Sequence, residues 1–278
     1  MGEIVVHRGV LRNTTVHVDD TGGTGRPVVL IHGWPLTGRS WMYQVPALRK
    51  AGYRAVTYDR RGFGRSDKPL TGYSYDTLAE DLHAILTELD LHDTTLVGFS
   101  MGGGEVARYL GDYGRLRLRS VVFAASVTPY LMRTPNNREG PMRMATAAKM
   151  TASLTANREA FYDRFVTDVF SVDGRLKVTD SQRMEALDMC REAGRLPALE
   201  CLAAFGNTDF RDDLVRATLP TLVLHGDGDS TVPFDGSAAR THAAIPGSQL
   251  VALRGAPHGC NISHSDEFNE ALLTFLRG

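Results

Sequence analysis

The sequence predicts an α/β fold in which a mostly parallel central sheet is covered by helices on both faces and carries an inserted helical cap. Short unbroken apolar runs recur at 27–31, 53–58, 94–97, 121–124, 220–225 and 249–253, the pattern of strands buried on both faces. Stretches with apolar residues at helical spacing separate them, so strand and helix alternate as a parallel sheet requires. One long interval, residues 126–212, is rich in Met, Ala, Arg and Thr, has helical periodicity without a strand pattern, and divides two strands of the series. The economical division of the 278 residues is a core of 1–125 and 213–278 with a cap of 126–212. Such a cap lies over the C-terminal edge of the sheet, where open α/β sheets bind ligands.

In order, residues 3–19 read as two strands about a turn, followed by the glycine-rich loop 21–25. The run 27–31 is the first buried strand, 41–51 is helical, and 53–58 is the next strand. Between 75 and 89, Leu78, Leu82, Ile85, Leu86 and Leu89 share one helical face. The strand at 94–97 runs into Gly98-Phe99-Ser100-Met101-Gly102 and out into a helix-like 103–110. The strands at 121–124, 220–225 and 249–253 complete the sheet, and a last helix carries Phe268, Leu272 and Phe275.

Composition narrows the function. A net charge of −1 provides no basic field for nucleic acid or an anionic membrane. No apolar stretch approaches the ~20 residues that span a bilayer, and residues 1–8 read as a strand rather than as a secretion signal. The three cysteines, Cys190, Cys201 and Cys260, have no spacing for a disulfide or zinc framework, which suits a reducing cytoplasm. No metal or other cofactor is expected. The partner expected is a small-molecule substrate, and self-association into a homo-oligomer is left open.

The chemistry centres on Ser100. Gly-x-Ser-x-Gly between a strand and a helix is the setting in which a serine is raised on a sharp turn with its hydroxyl exposed above the sheet. A serine hydroxyl needs a base within hydrogen-bonding reach and a third group to orient that base. His258, in Gly255-Ala256-Pro257-His258-Gly259, follows the last strand and is the candidate base. His264 is its nearest rival, His225 falls inside a strand, and His83, His92 and His242 have helical or surface settings. The candidate acid lies in His225-Gly226-Asp227-Gly228-Asp229-Ser230-Thr231-Val232-Pro233; both aspartates follow the strand, and the spacing to Val232-Pro233 favours Asp229. Acyl transfer also needs donors for an oxyanion. The amide of Met101, next after Ser100, is one candidate; the amide of Trp34, in His32-Gly33-Trp34-Pro35, is the other, since Pro35 has no N–H. Trp34 and Met101 are therefore also expected at the substrate.

Three further segments have plainer readings. Tyr58-Asp59-Arg60-Arg61-Gly62-Phe63-Gly64-Arg65-Ser66-Asp67 lacks phosphate-loop spacing and reads as a tight loop whose buried polar contacts brace the site. Met142, Met144 and Met150 read as cap packing and an adaptable pocket wall. Cys260, two residues from His258, is a candidate pocket-lining residue.

With these motifs, joined by Gly72-Tyr73-Ser74-Tyr75-Asp76-Thr77 and the run 97–109, the chain resembles the α/β-hydrolase superfamily, and within it the bacterial cofactor-free (non-haem) haloperoxidases, also described as arylesterases or perhydrolases. The resemblance covers the sheet domain and is weaker over 126–212. It implies a Ser100–Asp229–His258 triad with Trp34 and Met101 amides as the oxyanion hole. It implies hydrolysis of small carboxylic esters, in some relatives of lactones or lactams, and peracid formation from a carboxylic acid and hydrogen peroxide. Cys260-Asn261-Ile262-Ser263-His264 departs from the more apolar run of such relatives, which implies a more polar pocket wall. Haloalkane dehalogenases and epoxide hydrolases of this scaffold place an aspartate where this chain has Ser100. Carbon–carbon bond and amide hydrolases keep the serine and stay open as alternatives, as does, from another class, a hydrolase-fold ligand receptor.

Overall fold

The computed structural model describes residues 2–7 and 13–278. Its described strands form an eight-stranded sheet in the order β1-β2-β4-β3-β5-β6-β9-β10. β1 (Gly2–His7), β2 (Thr14–Asp20), β3 (Pro27–Ile31), β4 (Arg54–Tyr58), β5 (Thr94–Phe99), β6 (Leu118–Ala124), β9 (Thr221–Gly226) and β10 (Gln249–Leu253) are its members. β1 and β2 run antiparallel, as do β2 and β4, and every other described pairing within this sheet is parallel. The turn expected between β1 and β2 lies outside the described residues. Every residue of β5 and β9 is buried, as continuous apolar runs require when helices cover both faces.

The helices that flank the sheet are α1 (Gln44–Lys50), α2 (Tyr75–Glu88), α3 (Met101–Tyr113), α9 (Ala238–Ala244) and α11 (Ser265–Arg277). α2 starts at Ser74, whose hydroxyl accepts from the Thr77 amide, and it buries Leu78, Leu82, Ile85 and Leu86 on one face. α11 buries Phe268, Leu272, Phe275 and Leu276. The helix expected over 41–51 is shorter; a 3-10 turn at Gly38–Trp41 precedes α1.

Strand order explains where chemistry can occur. β4 follows β3 on one side of it, whereas β5 pairs with its other side. The winding direction therefore reverses at β3, and the loops leaving β3 and β5 diverge to open a crevice at their C-terminal ends. Residues 32–35 leave β3 there, and Ser100 leaves β5.

Between β6 and β9 the chain builds α4 (Met144–Ala156), α5 (Arg158–Val169), α6 (Asp180–Arg191), α7 (Arg195–Asn207) and the short α8 (Arg211–Leu214). Asn157 ends α4 and caps α5, its side chain accepting from the Ala160 amide at 3.0 Å, a cap worth about 1 kcal/mol. Thr179 and Gln182 form a reciprocal capping box for α6. One expectation needs correction. The interval is not free of strand, because Ser171–Val172 (β7) and Arg175–Leu176 (β8) pair as a two-stranded antiparallel ribbon. Two-residue strands are too short to display a period.

Candidate active site

Ser100 occupies the turn between β5 and α3 at φ 53° and ψ −117°. A left-handed non-glycine residue of this kind costs about 1–3 kcal/mol and persists only where its surroundings over-determine it. Here the Ser100 amide donates to the Ala124 carbonyl at 2.8 Å, and the Ser100 carbonyl accepts from Gly103 and Val127. The flanking glycines answer to close approach. A Cβ on Gly98 would lie 2.4 Å from the Gly102 carbonyl oxygen, and one on Gly102 would lie 2.5 Å from that of Ile31. Any larger residue would push α3 off the sheet.

The Ser100 hydroxyl lies 2.9 Å from His258 Nε2, and His258 Nδ1 lies 2.6 Å from Asp229 Oδ2. All three residues are buried. The opposite oxygen of Asp229 accepts from the amides of Thr231 and Val232, both at 2.8 Å. Burial by itself raises the Asp229 carboxyl, but His258 and His225 outweigh it and hold the group well below the usual carboxylate range. Asp227, the other aspartate of the loop, is exposed and accepts from the Gly255 amide. The structure therefore brings Asp229 to His258 and leaves Asp227 outside.

The β3 loop closes the other side. A Cβ on Gly33 would meet Phe99 Cδ1 at 2.8 Å and Ser100 Cβ at 3.0 Å, so the loop lies directly against the serine. The Gly33 carbonyl accepts from the Leu36 amide at 3.0 Å and from His32 Nδ1 at 2.8 Å. His32 Nε2 accepts from the Arg60 amide at 2.9 Å, which assigns the hydrogen of the neutral ring to Nδ1. Burial, then the neighbouring Arg60 cation, push the His32 imidazole well below its usual range. The amides of Trp34 and Met101 donate to no protein acceptor among the described residues. Trp34–Pro35 is a cis peptide.

The loop 58–67 is dense in buried polar contacts, as its sequence suggests. Asp59 accepts from the Gly38 and Arg65 amides. Arg60 pairs with Glu105, which also accepts from the Tyr58 hydroxyl, and Arg61 pairs with Asp81.

A cavity of about 730 Å³ opens above Ser100 and His258. Trp34, Val127, Leu131, Phe161, Phe165 and Phe205 form its apolar wall, with Ser230 to Pro233 of the acid loop on another side. The Trp34 ring meets Phe165 edge-on at 5.1 Å and Phe205 at 5.6 Å, and its Nε1 donates to the Ala198 carbonyl of α7. Met142 and Met150 line the cavity, whereas Met144 is 75% exposed and does not. The Met101 side chain is buried and does not line the cavity.

The expectation of a more polar wall beyond His258 is overturned. Residues 260–264 stay out of the cavity lining, Cys260 included; Cys260, Asn261 and Ile262 are buried in the short helix α10 (Cys260–Ser263), and Asn261 donates to the Ser40 carbonyl.

Two residues at the site escaped sequence reading. His225 lies in β9, but its Nε2 donates to the Val232 carbonyl at 2.9 Å and stands 3.0 Å from Asp229 Oδ2. The signal was its place at the strand end, four residues before the acid. Glu105 is the other, the one charged residue on the buried face of α3.

A model of the α/β hydrolase fold matches residues 26–265. The chain belongs to this family. Among solved structures, a bromoperoxidase from Bacillus anthracis is 48% identical and superimposes with a TM-score of 0.96 over 100% of this chain and 99% of its own. A non-haem chloroperoxidase of Kitasatospora aureofaciens is 41% identical over 91% of this chain and 93% of its own length. A bifunctional esterase/perhydrolase of Acinetobacter calcoaceticus is 30% identical over the full length of both chains.

Proposed function

We propose that this protein is a serine esterase acting through an acyl-enzyme, and that the same site makes peracids. The observation that carries the reading is the hydrogen-bonded line Ser100–His258–Asp229 at 2.9 and 2.6 Å. Ser100 Oγ attacks the ester carbonyl while His258 takes its proton; the tetrahedral oxyanion accepts from the Trp34 and Met101 amides; His258 returns the proton to the leaving alcohol. Asp229, its second oxygen held by two amides, keeps the ring in orientation and stabilises the imidazolium. Water then attacks the acyl-enzyme and releases the acid. When hydrogen peroxide replaces water, the acyl group leaves as a peracid, Ser100 is restored, and the peracid oxidises halide outside the protein. The names of the haloperoxidase and perhydrolase relatives support this second reaction.

Residues 126–212 form the cap in this reading, and the aromatic wall around Trp34 suits esters with an apolar acyl or aryl group. Cys190, Cys201 and Cys260 are free and buried, in keeping with a reducing cytoplasm, and among the described residues no helix is long and apolar enough to cross a membrane.

The test is twofold. A fluorophosphonate should label Ser100, and Ser100→Ala should abolish turnover of activated esters; more than a few per cent residual kcat would remove Ser100 from the mechanism. Bromide-dependent halogenation in acetate and hydrogen peroxide should survive a chelator and be lost in Ser100→Ala. Halogenation that persists without Ser100 would overturn the peracid route.

A further inference from the structure

We propose that the buried Glu105–Arg60 pair is a strut that sets the distance between the two halves of the oxyanion hole, making both residues positioning residues for acyl transfer. The inference rests on the reading of the Trp34 and Met101 amides as oxyanion donors.

The two donors belong to separate segments. Met101 opens α3, and Glu105 stands four residues further along the same helix, about one turn away. Trp34 belongs to the loop after β3. No covalent connection shorter than the chain between 34 and 101 relates them, yet an oxyanion must accept from both at once.

The contacts run unbroken from one segment to the other. The Glu105 carboxylate pairs with the Arg60 guanidinium and accepts from the Tyr58 hydroxyl. Arg60 Nη2 donates to the His32 carbonyl at 2.6 Å, and the Arg60 amide donates to His32 Nε2 at 2.9 Å. His32 Nδ1 then donates to the Gly33 carbonyl at 2.8 Å. In the trans Gly33–Trp34 peptide the carbonyl and the N–H point in opposite directions. Holding the Gly33 oxygen therefore aims the Trp34 N–H. On the helix side, the Tyr75 hydroxyl donates to the Met101 carbonyl at 3.1 Å, which holds the first turn of α3 in place.

Stability alone is a poor reason for this arrangement. Glu105 is fully buried and Arg60 is 1% exposed, and a buried ion pair is commonly no more stabilising than apolar residues of the same volume. Neither charge touches the cavity or the reacting atoms. A charged pair with fixed, directional bonds to both segments does what an apolar pair cannot: it fixes a geometry.

The experiment replaces both charges together, Arg60→Met with Glu105→Met, so that no lone charge stays buried. Folding is checked by circular dichroism and thermal unfolding. Affinity is then measured for an alkyl boronic acid, which becomes tetrahedral on Ser100, and for the matching carboxylic acid, together with kcat and KM on an activated ester. The double variant should lose boronate affinity and kcat by about tenfold or more, with KM and carboxylate affinity changed less than about twofold. A folded double variant with wild-type boronate affinity would overturn the proposal. Should the double variant not fold, Arg60→Lys keeps both charges and removes the guanidinium fork that reaches the Glu105 carboxylate and the His32 carbonyl together. Selective loss of boronate affinity in that variant supports the strut, and unchanged affinity overturns it. A wild type that binds the boronate no tighter than the carboxylate would instead overturn the acyl-transfer reading, and this proposal with it.

Discussion

The ends of β3 and β5 and α4, the first of the helices inserted after β6, are packed to opposite tolerances. At the strand ends there is no spare room: a Cβ on Gly33, Gly98 or Gly102 would meet a neighbour at 2.8, 2.4 or 2.5 Å. The charges of the neighbouring loop after β4 are buried and paired with α3 and α2, as in Arg60–Glu105 and Arg61–Asp81. In the inserted helices, α4 buries Leu154 alone of its thirteen residues. The ion pairs of that region, such as Arg191 with Glu159 and Asp188, are solvent-facing. The contrast separates two tasks. Catalysis needs reacting groups held to fractions of an ångström, whereas recognition of a substrate body needs only apolar surface of about the right shape. The same sequence therefore carries a closely packed rim and, in α4 beside the cavity, a more loosely packed wall.

The contrast can be broken by graded substitutions. The largest effect is expected at the acid. Asp229→Asn should lower kcat by about 10⁴, the scale of the corresponding change in a serine protease, while Asp227→Asn stays within a few-fold of wild type; steady-state kinetics on one activated ester decides between them. Gly33→Ala comes next. Its methyl group must displace Phe99 or Ser100, and kcat should fall by about 10²-fold, the scale of losing one oxyanion donor; full activity would mean that the loop can yield.

Smaller effects belong to the wall and the surface. Phe205→Ala should leave fluorophosphonate labelling of Ser100 intact yet change the ratio of kcat/KM between long and short acyl esters by about 10-fold or more, the scale of a pocket contact worth 1–3 kcal/mol. A lost labelling rate would show that the wall also holds the triad. Arg191→Ala, at two exposed ion pairs, should lower the urea unfolding midpoint by no more than the spread of repeat titrations. A loss several times larger would mean that the inserted helices are as tightly determined as the rim.

Much of the rim was legible because local signals add up there. Strand runs, the glycines about Ser100 and the position of His258 after the last strand are all readable without knowing what lies opposite. The choice between Asp227 and Asp229 was less secure, since both follow β9; only the bend of the loop turns one towards His258 and the other to solvent. His225 was assigned to a strand, correctly, and its strand position concealed its contact with the acid. The wall was least legible. Helical periodicity in 144–207 indicates that one face is covered but not by what, so Phe161, Phe165 and Phe205 gave no sign that they meet around Trp34. The residues 260–264 misled for the same reason: polar side chains after His258 read as a polar pocket, but Asn261 turns inward to the Ser40 carbonyl, and Ser263 and His264 bond to each other away from the cavity.

By itself, then, the sequence determined the alternation of strand and helix, the turn that strains Ser100, and the order in which serine, acid and base leave the sheet. These depend on neighbours within a few positions, where steric limits and backbone hydrogen bonding act directly. The tertiary structure alone decided how Glu105 and Arg60 join α3 to the β3 loop, and which side chains enclose the cavity. Those contacts join residues tens to more than a hundred positions apart, and their directions follow from how the sheet twists and the helices pack rather than from any local pattern.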